Sequence, residues 1–148
     1  VYLPAASGDA LAPHAAAAEI VRGRGLVLIM DDEESVRQIA GKIVRALGYE
    51  AAYARDGREA IDQWREARAK GQPFDVAIMD LTVPGGMGGR EAMRELLAID
   101  PEAKAVVSSG YCQDPVMANY RDYGFRDVLA KPYNVLDVSQ ALSALLKP

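Results

Sequence analysis

Phe74-Asp75-Val76-Ala77-Ile78-Met79-Asp80-Leu81-Thr82-Val83-Pro84 is an apolar run that stops at a single aspartate and passes into a turn rich in proline and glycine. A short apolar run bounded by turn signals reads as a buried parallel strand. In an open α/β sheet, chemistry gathers just beyond the carboxyl ends of such strands. Asp80 holds that position, so the rest of the chain is read by asking what converges on its carboxylate.

Working outward, strand and helix patterns alternate five times from Leu26 onward. Leu26 to Met30 is a continuous apolar strand, followed by Asp31-Asp32-Glu33-Glu34, acidic residues that suit a helix start. The helix carries one apolar face, Val36, Ile39, Ala40, Ile43, Val44 and Leu47, and Gly48 stops it. Tyr49 to Ala54 is a weaker second strand. Asp56-Gly57 opens a helix bearing Ala60, Ile61 and Trp64. The strand ending at Asp80 is third. Gly88-Gly89 opens a helix with Ala92, Met93, Leu96 and Leu97. Ala105 to Ser109 is the fourth strand. Asp114-Pro115 caps a helix expected to run through Val116, Met117 and Tyr120 to Gly124. Phe125 to Ala130 is the fifth strand, and Val135 to Lys147 the last helix. Such alternation implies right-handed parallel βαβ units and an α/β, doubly wound five-stranded sheet with helices on both faces. On pattern alone, either common strand order serves.

Composition narrows the function. In 148 residues with 50% hydrophobic content there is one domain with a sizeable core, and the net charge of −4 provides no basic field for nucleic acid. No apolar run reaches a membrane span, and no basic segment precedes an apolar one at the N-terminus. The single cysteine, Cys112, excludes an internal disulfide and suits a reducing, cytoplasmic setting. Residues 1–22, interrupted by Pro4, Gly8 and Pro13, read as a linker, with the domain occupying 23–148; His14, the only histidine, reads as a solvated linker residue.

Four strand ends carry polar groups in register: Asp31-Asp32, Asp80, Ser109 and Lys131. Each alone has a plain structural reading. The aspartate pair serves as a helix cap, the serine as a strand-end hydroxyl bonded to backbone, and the lysine as a solvated loop residue. Together they describe a site. Clustered carboxylates repel and call for a cation. Oxygen donors without histidine or cysteine suit Mg²⁺. A carboxylate beside such an ion is a candidate phosphoryl-accepting nucleophile, with the lysine and the hydroxyl meeting phosphoryl oxygens.

Met30-Asp31-Asp32-Glu33, Met79-Asp80-Leu81-Thr82-Val83-Pro84, Ser108-Ser109-Gly110-Tyr111 and Lys131-Pro132-Tyr133 resemble the receiver domain of two-component response regulators, from about Gly23 to Pro148. The resemblance implies the flavodoxin-like strand order 2-1-3-4-5. By position, it implies Asp80 as phosphoacceptor, and Asp31, Asp32 and the Thr82 backbone carbonyl as Mg²⁺ ligands together with Asp80. Ser109 and Lys131 would then be the groups on the phosphoryl oxygens. Ser109 is preferred to Ser108 because it precedes the small Gly110 and stands at the family's spacing from Lys131. The family also implies a cis Lys131-Pro132 peptide. The partner it implies is a histidine kinase domain, in the same chain or separate, or a histidine phosphotransfer protein, with no nucleic acid and no membrane contact. As for enzymatic activity, it implies only the domain's own aspartate phosphorylation and dephosphorylation.

Two departures stand out. The loop Pro84-Gly85-Gly86-Met87-Gly88-Gly89 is one residue longer than the commonest receiver form and resembles that of hybrid histidine kinases. Val128 sits where many receivers carry the aromatic ring of their switch, so that device does not carry over. Val1-Tyr2-Leu3-Pro4-Ala5 resembles the closing strand of a kinase ATP-binding domain, which suggests the C-terminal receiver of a hybrid kinase. Two rival readings remain. A haloacid-dehalogenase-like phosphohydrolase needs a second acid two residues after its nucleophile, and Thr82 stands there. A degenerate receiver used only for docking would not need the complete acidic set.

Overall fold

The computed structural model describes residues 20–110 and 114–146. Five strands, β1 (Leu26–Met30), β2 (Glu50–Ala54), β3 (Val76–Asp80), β4 (Ala105–Ser109) and β5 (Asp127–Ala130), form one sheet in the order β2-β1-β3-β4-β5. All four neighbouring pairs are parallel. This is the flavodoxin-like order 2-1-3-4-5. The helices are α1 (Glu34–Ala46), α2 (Gly57–Ala69), α3 (Gly89–Ile99), α4 (Pro115–Ala118) and α5 (Val135–Leu145), with a 3₁₀ turn at Tyr120–Tyr123.

The central strands are apolar throughout because both their faces are covered. On β1, Leu28 and Met30 join one core cluster with Ile61, Trp64, Met93 and Leu96. Val27 and Ile29 join the other with Ile43, Val44, Leu47 and Leu142. α2 and α3 thus cover one face while α1 and α5 cover the other, as successive strand side chains point to opposite sides. Trp64 stacks on Phe74 at 5.6 Å and donates its indole N–H to Asp100 Oδ2. Asp56 and Asn134 cap α2 and α5 by accepting the amides of Glu59 and Asp137.

Four elements differ from the sequence expectation, β2 only in starting at Glu50 instead of Tyr49. The helix after Asp114 lasts only four residues, because at Asn119 the backbone leaves the helical region (φ −119°, ψ 37°) and continues as the 3₁₀ turn. β5 starts at Asp127 instead of Phe125. Phe125 directs its amide to Tyr120 and is buried in the core, and the first bond to β4 comes from the Arg126 amide to Ala105. α5 ends at Leu145, and Lys147 lies outside the described residues.

Residues 20–25 lead into β1 along the sheet. The Val21 amide donates to Ser139 Oγ and the Ser139 hydroxyl returns a bond to the Val21 carbonyl, while the Gly23 amide donates to Leu47. The rest of the expected linker, with His14 and the Val1–Ala5 run, lies outside the described residues, as does Cys112. Among the described residues no helix is long and apolar enough to cross a membrane.

Candidate phosphoryl-acceptor and metal site

Strand register assembles the site. Met30 pairs with Met79, so Asp31 and Asp80 lie side by side at the carboxyl edge. Asp80 itself pairs with Ser108, and Ser109 with Ala130, which brings Lys131 alongside. The Lys131 amide donates to the Ser109 carbonyl, and the Leu81 amide to the Ser108 carbonyl. Asp32, Asp80, Thr82, Ser109 and Lys131 line one open cleft of about 640 Å³. Asp31, beside Asp80 and Lys131, is fully buried, and Asp80 is 5% exposed.

The β3–α3 loop folds back tightly over this edge. A side chain at Gly88 would put its Cβ 2.4 Å from the Leu81 carbonyl oxygen, and one at Gly89 would meet the Asp80 carbonyl at 2.8 Å. Those two glycines are needed for close backbone approach. The Lys131-Pro132 peptide is cis.

Carboxylate oxygens of Asp31, Asp32 and Asp80 all lie within 4.8 Å of one another. The first of these divides its work. Asp31 Oδ1 accepts the Glu33 amide and turns the chain into α1, which itself receives no side-chain cap from Glu33. Asp31 Oδ2 is buried and receives no hydrogen bond of good geometry, although Lys131 Nζ approaches it to 2.7 Å. The ammonium therefore offsets the charge without meeting the lone pair along a good direction. A buried, under-satisfied carboxylate oxygen beside two further carboxylates fits a hard divalent cation. Octahedral Mg²⁺ holds opposite ligand oxygens about 4 Å apart, so small side-chain adjustments suffice. The acidic pocket thus suits a hard divalent cation such as Mg²⁺.

Lys131 Nζ also lies 3.2 Å from Asp80 Oδ1, bridging the two buried acids. Burial works against its ammonium, but the close contact with Asp31 and the charges of Asp80 and Asp31 outweigh it and hold the lysine pKa above its usual value. The Asp80 carboxyl is pushed up to about 6, first by burial and then by Asp31, against the pull of Lys131 and a backbone hydrogen bond from Thr82.

Several participants escape a reading of strand ends. Arg37 donates from one turn into α1 to the Asp31 carbonyl at 2.7 Å. Tyr133 shares a hydrogen bond with Ser108, whose side chain is fully buried on the other face of β4 from Val107. Strand alternation separates Ser108 from Ser109, and only Ser109 lines the cleft. A larger groove of about 790 Å³ lies between α3 and the 3₁₀ turn. Its charged lining mixes Arg90, Arg94 and Arg121 with Glu91 and Asp122 and gathers no cluster of strand-end acids.

Comparison with known proteins agrees with this arrangement. The family model described as response regulator receiver domain matches residues 27–143. The chain is 34% identical over 122 residues to the chemotaxis protein CheY of Thermotoga maritima, covering 82% of this chain and 97% of that one. It is 28% identical over 128 residues to the sensor kinase CckA of Brucella abortus, covering 84% of this chain but 13% of the kinase. Among solved structures, chemotaxis protein CheY4 of Vibrio cholerae superposes with a TM-score of 0.73 at 28% identity, covering 84% of this chain and all of that one. A chain of the CheX-CheY-BeF3-Mg²⁺ complex from Borrelia burgdorferi gives 0.75 at 21% identity, a likeness of fold, covering 84% and 90%. Neither the family match nor these relatives support a phosphohydrolase. The chain belongs to the response regulator receiver domain family, the phosphoacceptor domains of two-component signalling.

Proposed function

We propose that Asp80 is the residue that accepts the phosphoryl group, and that the donor is a phosphohistidine on a histidine kinase or phosphotransfer helix. The observation that carries this reading is the meeting of three carboxylates and one lysine at the edge of β3. An Asp80 carboxylate oxygen attacks phosphorus in line and forms the new P–O bond. The P–N bond to the donor breaks, its electron pair staying on the imidazole nitrogen, which then takes a proton. Lys131, already 3.2 Å from Asp80 Oδ1, neutralises charge on the transferring oxygens, and the Ser109 hydroxyl donates to another. Asp31, Asp32, Asp80 and the Thr82 carbonyl would hold Mg²⁺, which supplies positive charge to the phosphoryl oxygens when bound.

The donor helix is read as docking against α1 and the loops after β3 and β5. Ile39 on α1 is 52% exposed and Val135 37% exposed. Between α1 and the β5–α5 loop runs a small groove of about 300 Å³ whose lining includes Val36, Ile39, Pro132 and Tyr133. An amphipathic helix laid into such a groove is a recurring recognition mode. We read 1–22 as a linker, and the chain as the receiver of a hybrid kinase, a reading supported by the match to one short stretch of the CckA sequence. The cytoplasm is the compartment that fits such a donor.

The test is phosphotransfer from a radiolabelled kinase core, including one carrying the sequence upstream of this domain. Label is expected on the wild-type domain with Mg²⁺ and absent from Asp80→Asn. Ile39→Asp is expected to slow transfer from the kinase far more than phosphorylation by acetyl phosphate. Label persisting in Asp80→Asn would move the acceptor elsewhere, and equal slowing with both donors would remove the docking role of α1.

A further inference from the structure

We propose that Tyr133 is a positioning residue for phosphoryl transfer to Asp80, acting through its hydroxyl bond to Ser108 to fix the loop that carries Lys131; the proposal rests on the roles of Asp80 and Lys131 given above. Lys131-Pro132-Tyr133-Asn134 joins β5 to α5. At its start the Lys131 amide is held by the Ser109 carbonyl, and at its end Asn134 caps α5. Between these points Pro132 has no amide to donate. Tyr133 supplies the side-chain tether: its ring packs on the core face built from Val27, Ile29, Ile78 and Leu129, and its hydroxyl bonds Ser108 Oγ.

Ser108 is a junction of the acceptor segment and the lysine loop. It pairs with Asp80 across β3–β4, and its carbonyl accepts the Leu81 amide at 2.9 Å. Its hydroxyl, fully buried, reaches Tyr133. One residue therefore ties the backbone that follows Asp80 to the loop that follows Lys131. Removing the phenol oxygen would leave Ser108 Oγ buried without that partner, which carries its own desolvation cost. The lysine loop would also lose the Tyr133 side-chain bond to the strand holding Ser109. Small displacements of a charge that must meet developing phosphoryl charge are costly in rate.

The test is phosphorylation by acetyl phosphate, in which an Asp80 oxygen forms the P–O bond while the donor P–O bond breaks and its electron pair leaves with acetate. Maximal rate and Mg²⁺ half-saturation are measured for wild type, Tyr133→Phe, Ser108→Ala and the double variant. Tyr133→Phe is expected to lower the maximal rate about five-fold with half-saturation unmoved, and the double variant to be no slower than Tyr133→Phe alone. Should Tyr133→Phe fail to fold, Ser108→Ala carries the same expectation. A Tyr133→Phe rate within about two-fold of wild type overturns the proposal. So do losses that multiply in the double variant, or Mg²⁺ half-saturation that shifts with the rate, the mark of a generally loosened site. If wild type takes no phosphate at Asp80, the functional reading fails first and this proposal with it.

Discussion

Asp80 sits between opposing influences, and the balance is measurable. Burial and the Asp31 charge raise its carboxyl to about 6 from 3.8, and Lys131 opposes them. A folded pKa above the unfolded one means that the fold favours the protonated acid. That contribution is fully present below pH about 4 and is lost as pH rises through about 6. An asparagine mimics the protonated acid at every pH. In Mg²⁺-free urea unfolding at pH about 8, Asp80→Asn should therefore be more stable than wild type by on the order of 2 kcal/mol, the two converging near pH 4. A variant less stable than wild type at the higher pH would show that Asp80 is stabilising where it stands. At this scale the sequence is informative about the groups at strand ends, since position in register alone brings Asp31, Asp80, Ser109 and Lys131 to one edge. It says little about Arg37 or the Ser108–Tyr133 bond. Those depend on how a helix side chain reaches back to a carbonyl and on which face of β4 a serine occupies.

Among the elements, the β3–α3 loop is the one on which the site geometry depends most. Gly88 and Gly89 permit it to press against the Asp80 and Leu81 carbonyls. In Gly88→Ala the new Cβ would meet a backbone oxygen at 2.4 Å, which no side-chain rotation relieves. Overpacking of this kind costs about 1–3 kcal/mol, and the displaced loop carries Thr82. Gly88→Ala should thus lower the urea midpoint and slow phosphorylation of Asp80. Unchanged values for both would mean that the loop moves freely away from the site. Glycines in this loop are visible in the sequence, but their reason is not: Gly88-Gly89 reads as the opening of a helix, whereas close packing against the acceptor strand is what requires them. The short α4 was hidden for a similar reason. Val116, Met117 and Tyr120 have helical spacing, yet Asn119 adopts a non-helical backbone that spacing does not reveal.

For the molecule as a whole, the two-sided core follows directly from the apolar strands. Leu26–Met30 and Val76–Asp80 have no polar face to give to water and so take the central positions, with helices on either side. Strand order is less legible, because alternation admits both doubly wound orders. The family resemblance of the strand-end residues selects one of them, and the observed sheet has it. Where the domain begins is also obscure, since the Val21–Ser139 bonds join residues far apart in sequence. What unites these scales is one carboxylate at the edge of β3, and its proposed role has a direct chemical test. Borohydride converts an acyl phosphate on aspartate to homoserine. The domain, phosphorylated with acetyl phosphate and Mg²⁺, is reduced and its peptides are sequenced by mass spectrometry. The account predicts homoserine at position 80 alone; homoserine at position 31 or 32, or none with the protein folded and Mg²⁺ present, would contradict it.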